Sequence, residues 1–240
     1  VFAPHVETSA GLLLPDDYLQ RVAEAVHAHG GLFVLDCIAS GALWVDMQQV
    51  GVDVLISAPQ KTWSSTPCAA MVMLSAEAEA RMATTQSSSF TLDLAKWRSI
   101  MAAYENGGFA YHATLPTDAL AQLRDAMVET MGMGLEPARD AQRELGRRVR
   151  AVLAQRGFPS VAAEGFQAPG VVVSYTDDDA IHKGSAFVAQ GLQIAAGTPL
   201  ACDEPADFKT FRIGLFGLDK LKDVDGTVQR LDDALARIEG

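Results

Sequence analysis

Short apolar runs alternate with amphipathic stretches over the first part of the chain. Asp16 or Asp17 is placed to cap a helix that continues to Val26, and His29-Gly30-Gly31 marks the end of that helix. Runs that are apolar on both faces, as in strands buried within a parallel sheet, span residues 32–36, 52–57 and 69–74. Helices that alternate with such strands predict an α/β fold with a mostly parallel sheet flanked by helices.

The pattern changes after residue 75. A helix is predicted over 76–83, followed by a Thr/Ser-rich stretch over 84–91 and a segment rich in Trp, Tyr, Gly and His over 97–114. A long helical region spans 117–157 and is broken at 132–134. Further strands (170–175, 192–196 and 210–214) and helices (180–190 and 223–238) follow. We predict two domains, 1–125 and 126–240, the second a smaller C-terminal α+β domain preceded by a long linking helix.

Two charged clusters in the second half of the chain are candidates for binding. Arginines at positions 143, 147, 148 and 150 alternate with apolar residues along the long helical region. We interpret them as a solvated face beside a core stripe rather than as a binding patch. The run Asp177-Asp178-Asp179 predicts an exposed turn, because three adjacent carboxylates do not converge easily on a metal ion.

Composition narrows the class of protein. Hydrophobic residues make up 49% of the 240 positions, which is enough to bury a core. The 19 Lys and Arg residues against 30 Asp and Glu residues give a net charge of -11, which disfavours binding to nucleic acid or to an anionic membrane surface. No apolar run reaches the roughly 18–20 residues of a membrane-spanning helix, and residues 1–7 lack the features of a signal peptide. Three isolated cysteines favour reduced thiols, so we expect a soluble cytoplasmic protein without a disulfide or zinc framework.

Asp36 and Lys61 each follow an apolar run, at the place where parallel sheets bind ligands. The ordinary role of an Asp at such a position is a turn or a helix cap, and most loop lysines lie on the surface. A buried carboxylate, however, needs a cation or strong donors, and a desolvated lysine can attack a carbonyl. An acid and an amine at one sheet edge are what a pyridoxal phosphate site requires, because the amine bonds the cofactor aldehyde and the acid keeps the ring nitrogen protonated.

Five motifs that occur in order support this interpretation. They are His5-Val6-Glu7-Thr8-Ser9-Ala10-Gly11, Leu35-Asp36-Cys37-Ile38-Ala39-Ser40, Ser57-Ala58-Pro59-Gln60-Lys61, Tyr111-His112-Ala113-Thr114 and Phe211-Arg212-Ile213-Gly214. Over nearly the whole chain they resemble the class V aminotransferases of the fold type I pyridoxal-phosphate enzymes, specifically the alanine/serine–glyoxylate (serine–pyruvate) group. The resemblance implies that residues 1–125 are part of an incomplete cofactor-binding large domain and that residues 126–240 are the small domain.

The resemblance also implies roles for individual residues. Lys61 matches the catalytic lysine, which bonds the cofactor and moves a proton during the reaction. Asp36 matches the partner of the pyridinium nitrogen. Arg212 matches the arginine that grips the substrate carboxylate, for which a planar guanidinium is well suited. An internal salt bridge is the alternative role for Arg212.

The remaining matches concern cofactor binding. Thr8 falls where the family has a hydroxyl near the phenolic oxygen of the cofactor, although it could also cap a turn. The amide of Gln60 falls where it can reach the phosphate. Tyr111 and Thr114 match a pair that one subunit of a homodimer contributes to the phosphate of its neighbour; without the resemblance they are core or loop residues.

The chain departs from the family pattern at its beginning. Family chains supply, before the motif that starts at His5, a small-residue loop that cradles the phosphate and an aromatic residue that stacks on the ring. The given sequence starts just before that motif and contains neither feature, so the N-terminal part of the family chain is absent from it. Pro59 stands where relatives often have a small polar residue, which removes one phosphate contact.

The function implied is transamination between serine or alanine and glyoxylate or pyruvate, dependent on pyridoxal 5'-phosphate, in a homodimer with shared active sites. Two alternatives stay open. A lyase of the same fold, similar to cysteine desulfurases, needs a reactive mobile cysteine, and Cys202 is the only candidate in a predicted loop. The other alternative is a non-catalytic, truncated fragment that oligomerises without holding the cofactor.

Overall fold

A computed structural model describes residues 1–240. The first 74 residues contain β1 (Phe2–Pro4), β2 (Val6–Glu7), β3 (Leu12–Leu13), α1 (Asp16–Ala28), β4 (Val34–Asp36), α2 (Met47–Val50), β5 (Val54–Ser57) and β6 (Met71–Leu74). Strands β1, β4, β5 and β6 form a four-stranded sheet in the order β1-β4-β5-β6, while β2 and β3 form a separate antiparallel hairpin. The predicted α/β class is confirmed.

The sheet is mostly parallel, as the apolar runs predict. β4 pairs in parallel with β1 on one side and with β5 on the other, with Asp36 opposite Pro4 and Ile56. β6 runs antiparallel to β5, which the sequence analysis did not anticipate. The reason is that the connection over 58–70 contains no helix, and a parallel crossover needs one or a comparable length of chain.

Helix α1 covers one face of this sheet. Its buried residues Leu19, Ala23 and Val26 recur at helical spacing and share a core with Phe33, just before β4, and with Leu35 and Leu55 of the sheet. Asp16 and Asp17 lie in its first turn, where acidic side chains favour the helix dipole, but neither caps it, because Pro15 occupies the N-cap position. The predicted cap is therefore wrong by one or two residues.

Four helices connect the two sheets: α3 (Ala76–Ala83), α4 (Leu94–Glu105), α5 (Thr117–Met133) and α6 (Leu135–Gln155). The predicted break in the long helical region is confirmed. Gly134, with φ of 92°, separates α5 from α6, because this backbone conformation favours glycine and interrupts the helix.

The last part contains β7 (Val171–Tyr175), α7 (Asp179–His182), α8 (Ser185–Val188), β8 (Ala195–Ala196), β9 (Thr210–Gly214), α9 (Leu218–Lys222) and α10 (Val224–Glu239). Its sheet is antiparallel in the order β7-β9-β8. The helix predicted over 180–190 is divided in two by Gly184, with φ of 79°. Asp178 caps α7, and Asp179 pairs with Lys209 at 2.7 Å.

The largest core of the molecule lies between this antiparallel sheet and helices α6 and α10. Leu145 and Val149 of α6, Phe211 of β9 and Leu235 of α10 are fully buried there. Trp44, which follows β4, packs against the same core, and its indole N–H donates to the Leu135 carbonyl at 2.8 Å. The chain after β4 therefore reaches across to the second part of the molecule. No helix has the length and apolarity needed to cross a membrane.

Candidate active site

Asp36 lies at the carboxyl end of β4 and Lys61 lies in the turn after β5. The two strands are neighbours, and the Cys37 amide donates to the Ile56 carbonyl at 2.7 Å just past Asp36. The chain segments that carry the acid and the amine therefore leave the same edge of the sheet, which is where open α/β sheets bind ligands.

One carboxylate oxygen of Asp36 has a structural role. Its Oδ1 accepts from the Ile38 amide at 2.9 Å, which closes a turn of the kind an Asp commonly forms after a strand. Oδ2 makes no hydrogen bond within the chain, and the side chain is half-buried. The turn thus orients the carboxylate while one oxygen stays available to a further donor.

His5 is buried behind this turn. Its amide donates to the Asp36 carbonyl at 2.9 Å, and its Nδ1 lies 2.7 Å from the Ser40 hydroxyl. Burial lowers the pKa of His5 to about 4, although the charge of Asp16 opposes the shift, so the imidazole is neutral at neutral pH. His5 therefore connects β1 to the turn after Asp36 and does not serve there as a cation.

The neighbouring thiol is inert for the same physical reason. Burial raises the pKa of Cys37 to about 12, with a smaller contribution from the charge of Asp36, while a hydrogen bond with Ser40 opposes the shift. Cys37 stays protonated and fills space in the core beneath the sheet edge.

Lys61 reaches from its turn towards the segment that follows β9. Its Nζ lies 5.0 Å from the centre of the Phe216 ring, within the range of a cation–π contact, and no carboxylate lies within ion-pair distance of it. Three residues later, the Ser64 hydroxyl accepts from the Leu218 amide at 2.8 Å. The turn that carries Lys61 is therefore attached to the second part of the molecule.

Arg212 lies on β9, on the strand face opposite the core. Phe211 and Ile213 are buried in the core, so strand alternation places Arg212 on the other face together with Gly214, which lies beside the Phe216 ring that contacts Lys61. Its Nε donates to the Ala196 carbonyl at 2.8 Å, and no acidic side chain pairs with it. The alternative of an internal salt bridge is wrong, and the two terminal nitrogens of the guanidinium remain available.

Thr8 lies in the turn of the β2–β3 hairpin, close in sequence to His5. The turn is closed by Glu7, whose two carboxylate oxygens accept from the amides of Ser9 and Ala10 at 2.8 Å each. No role for Glu7 is predicted from the sequence. The sequence signal for Glu7 is an acidic residue directly before a turn, because its carboxylate can accept from the amides two and three residues later in the chain.

The other predicted site residues lie apart from this edge or on its outside. Gln60 is exposed, in the turn beside Lys61. Tyr111 is 78% exposed, and its hydroxyl lies 3.4 Å from that of Thr114. The structure brings these two hydroxyls together on the surface, and neither is hydrogen bonded to Asp36 or Lys61. Phe216 was not predicted from the sequence, because it lies beyond the end of β9 and only packing brings its ring to Lys61.

Lys61 presents an amine without a counter-ion, Asp36 a carboxylate with one free oxygen and Arg212 a guanidinium with free terminal nitrogens. Such an amine can attack a carbonyl, and such a guanidinium can bind a carboxylate through two parallel hydrogen bonds. These groups come from three distant parts of the sequence. Their chemistry fits an amino or oxo acid.

No known family model matches the chain, but individual relatives do. It is 31% identical to 2-aminoethylphosphonate–pyruvate transaminase 2 of Paraburkholderia xenovorans, over 98% of this chain and 61% of the relative. It is 28% identical to alanine–glyoxylate aminotransferase of Felis catus, over 99% of this chain and 57% of the relative. The crystal structure of an alanine–glyoxylate aminotransferase from Nostoc superposes with a TM-score of 0.83, at 22% identity over 100% of this chain and 61% of that chain. The chain thus spans about three fifths of the length of its relatives.

Proposed function

We propose that this chain takes part in transamination dependent on pyridoxal 5'-phosphate. The premise is that it has the fold of the fold type I aminotransferases and is similar to aminotransferases along nearly its whole length. The observation that carries the proposal is that Asp36 and Lys61 follow two neighbouring parallel strands, on segments that leave the same edge of the sheet. The relatives' names supply the reaction class, and the chain supplies the groups that such a reaction needs.

The donor set of the edge fits pyridoxal phosphate. The cofactor has an aldehyde, a ring nitrogen, a phenolic oxygen and a phosphate, and when bound it supplies a ring that withdraws electrons from the amino acid. Lys61 has no counter-ion and would bond the aldehyde, while the free Oδ2 of Asp36 would accept from the ring nitrogen. Thr8 would meet the phenolic oxygen, and Gln60 would contact the phosphate.

The chain's own residues then have distinct tasks. Lys61, once the substrate has displaced it from the aldehyde, would take the proton from the substrate Cα and deliver it to the C4' carbon of the cofactor, acting first as general base and then as general acid. Arg212 holds the substrate α-carboxylate through its free terminal nitrogens, with Nε anchored on Ala196. Phe216 excludes water on one side of Lys61 and fixes the direction of its side chain.

The acceptor we propose is glyoxylate or pyruvate, and the donor is serine or alanine. The relatives named above are named for glyoxylate or pyruvate, and both of these are small oxo acids. Arg212 favours a donor with an α-carboxylate. A second candidate donor is 2-aminoethylphosphonate, which the name of the Paraburkholderia relative supports. A panel of serine, alanine and 2-aminoethylphosphonate, followed through the cofactor spectrum, distinguishes the donors.

A homodimer with shared active sites is part of the proposal. The segment around Tyr111 and Thr114 exposes large apolar side chains, among them Phe90, Leu92 and Phe109. Large exposed apolar side chains favour a protein interface, and the centre of the Phe90 ring lies 4.1 Å from that of His112, beside Tyr111. In this arrangement Tyr111 and Thr114 contact the phosphate bound by the neighbouring subunit. Sedimentation of the purified chain tests the dimer.

The remaining assignments follow from the same proposal. We infer a cofactor-binding domain around the four-stranded sheet and a small domain around the three-stranded sheet, divided at residues 125 and 126, inside α5. The free thiols of Cys37, Cys68 and Cys202 support a cytoplasmic location.

The test is reduction with borohydride after the purified chain has been mixed with pyridoxal phosphate. We expect a yellow complex and, after reduction, a stable adduct on the peptide that carries Lys61. Lys61→Ala should lose the adduct and nearly all turnover, a fall of roughly 10²–10⁴-fold or more. Lys183→Ala removes an exposed lysine elsewhere and should retain both. A Lys61→Ala variant that keeps the adduct contradicts the proposal.

The same experiment separates the alternatives. If the chain forms no adduct, the result supports the alternative that it is a non-catalytic fragment, and transamination is not its activity. If the adduct forms and sulfide is released from cysteine faster than serine or alanine is converted, the result supports the alternative that the chain belongs to a lyase similar to cysteine desulfurases. Cys202→Ala should then abolish sulfide release and leave the adduct intact, because the adduct forms on Lys61 and does not involve the exposed thiol of Cys202.

A further inference from the structure

Helix α6 presents a second set of charged groups that the proposed active site does not use. Arg143, Arg147 and Arg150 recur at helical spacing, so they share one face of the helix. They line a cavity of about 240 Å³, and the rest of its lining consists of Leu13, Leu43, Gln167 and Pro169. No acidic side chain lines this cavity, in a chain whose net charge is -11.

Arg150 is buried and has no carboxylate partner. Its Nη2 donates to the carbonyls of Ala168 and Val171 at 2.6 Å and 3.1 Å, and its Nε makes no hydrogen bond. Burial lowers the pKa of Arg150 to about 10, so the guanidinium stays protonated at neutral pH. A buried cation without a counter-ion is costly, and an anion held against it would offset that cost. This burial also shows that the interpretation of the arginines as a solvated face is wrong for Arg150.

The other two arginines leave the cavity positively charged. Arg147 is paired in two places with Glu144, at 2.7 Å and 2.8 Å, which neutralises one of the three guanidinium groups. Arg143 is exposed and makes no ion pair. Arg148, the next arginine on the helix, faces away and pairs with Asp225 instead. Arg143 and Arg150 thus carry two uncompensated charges towards one small space.

We propose that this cavity is a binding site for a small oxyanion of the phosphate class, independent of the pyridoxal phosphate site. Guanidinium groups bind tetrahedral oxyanions through paired, charge-assisted hydrogen bonds, and Gln167 can donate one more through its amide. The volume is below the roughly 300–1,000 Å³ of sites for drug-sized molecules, so it suits an ion or a small phosphate ester.

The position of the site gives the ligand a structural effect. Gln167 forms an isolated antiparallel β-bridge with Leu12, which belongs to the hairpin that carries Thr8. Arg150 donates to the Ala168 carbonyl, in the segment that leads into β7. An oxyanion between Gln167 and the arginines of α6 therefore connects the hairpin to the second part of the molecule. It stabilises the folded chain, because it binds the folded state and not the unfolded one.

The test is calorimetric titration of the purified chain with inorganic phosphate, with sodium chloride replacing phosphate to keep ionic strength constant. We expect saturable binding and a rise in Tm that chloride does not produce. Arg143→Gln should weaken binding roughly tenfold or more, because it removes a charged hydrogen-bond donor. Arg148→Gln makes the same change in net charge away from the cavity and should bind phosphate as the unmodified chain does.

Two results would overturn the proposal. The first is equal binding by Arg143→Gln and Arg148→Gln, or an equal rise in Tm with chloride, because either shows only general screening of charge. The second is a result in which Gln60→Ala loses phosphate binding while Arg143→Gln retains it. That result would place the ion at the proposed pyridoxal phosphate site beside Lys61. Failure of transamination in the preceding tests leaves this binding unaffected, so the two proposals fail separately.

Discussion

At the amino end of β5, Asp53 is 5% exposed and both of its carboxylate oxygens are fully used. Oδ2 accepts from the Phe33 amide at 2.8 Å and lies 2.7 Å from Nε2 of His27, and Oδ1 accepts from the Ser75 hydroxyl at 3.1 Å. At the opposite edge of the same sheet, Asp36 uses one oxygen and leaves the other free. A carboxylate that the fold saturates stabilises the fold, whereas one that the fold orients but does not saturate can bind something else.

The largest effect that tests this comparison is on activity. Asp36→Asn keeps an oxygen for the Ile38 amide but loses the charge that would face the cofactor ring nitrogen. We expect turnover to fall about 10²–10³-fold, with stability changed by about 0.5 kcal/mol or less. Steady-state kinetics and urea unfolding check this. Unfolding of Asp36→Asn at much lower urea would show that Asp36 is structural, as Asp53 is.

The matched change at the other edge should act on stability. Asp53→Asn replaces a carboxylate that accepts three hydrogen bonds with an amide whose NH₂ group faces donors. We expect a loss of about 2–3 kcal/mol in the free energy of unfolding, with turnover per folded molecule unchanged. A Ser75→Ala variant, which removes one of the three donors, should lose about 1 kcal/mol. Reduced turnover per folded molecule in Asp53→Asn would show that Asp53 also affects activity, which contradicts its purely structural role.

The pH dependence of stability sharpens the same contrast. Burial of Asp53 disfavours its charge, but hydrogen bonds from Phe33, His27 and Ser75 together hold the pKa of Asp53 below its usual range. The resulting stabilisation is therefore fully present above the ordinary Asp pKa of about 3.9 and is lost as pH falls through the lower folded-state pKa. We expect the stability difference between the unmodified chain and Asp53→Asn to be constant from pH 7 to 5 and to shrink below pH 4. Urea unfolding at each pH measures it.

The smallest expected effect concerns Phe216, whose ring contacts Lys61. Phe216→Leu keeps an apolar side chain but removes the ring that Nζ of Lys61 faces. Since an exposed cation–π contact contributes about 0.5–1 kcal/mol, we expect turnover to fall about two- to fivefold. Phe216→Tyr keeps the ring and should retain activity. If both variants behave alike, the contact with Lys61 does not depend on the aromatic face.

Much of the fold could be predicted because local signals and the observed structure agree. Helix α3 and strand β9 have the predicted bounds, and the break between α5 and α6 falls where the glycines indicate. The antiparallel direction of β6 could not be predicted, because an apolar run does not show on which side or in which direction its neighbour lies. The helix over 180–190 failed at Gly184 because apolar periodicity continues across a residue whose backbone breaks the helix.

The site divides in the same way. Asp36 and Lys61 could be selected as candidates from the sequence because residue type and position after a strand express chemistry directly, whereas the role predicted for Arg212, which lies inside β9, rests on the family resemblance. The contacts that orient these residues could not be predicted, because Lys61 and Phe216 are separated by more than half of the chain and only packing brings them together. The burial of Arg150 was hidden for a related reason: helical periodicity places it on the face of Arg143 and Arg147 without showing that Ala168 and Val171 cover it.

By itself, the sequence determined the class of fold, the order of most elements and the residue types available for reaction, because these depend on local periodicity and on side-chain chemistry. Only the tertiary structure decided which of the charged groups are saturated. Asp36 and Asp53 both border apolar strands in sequence, and they differ because amides and side chains from distant segments converge on one and not on the other.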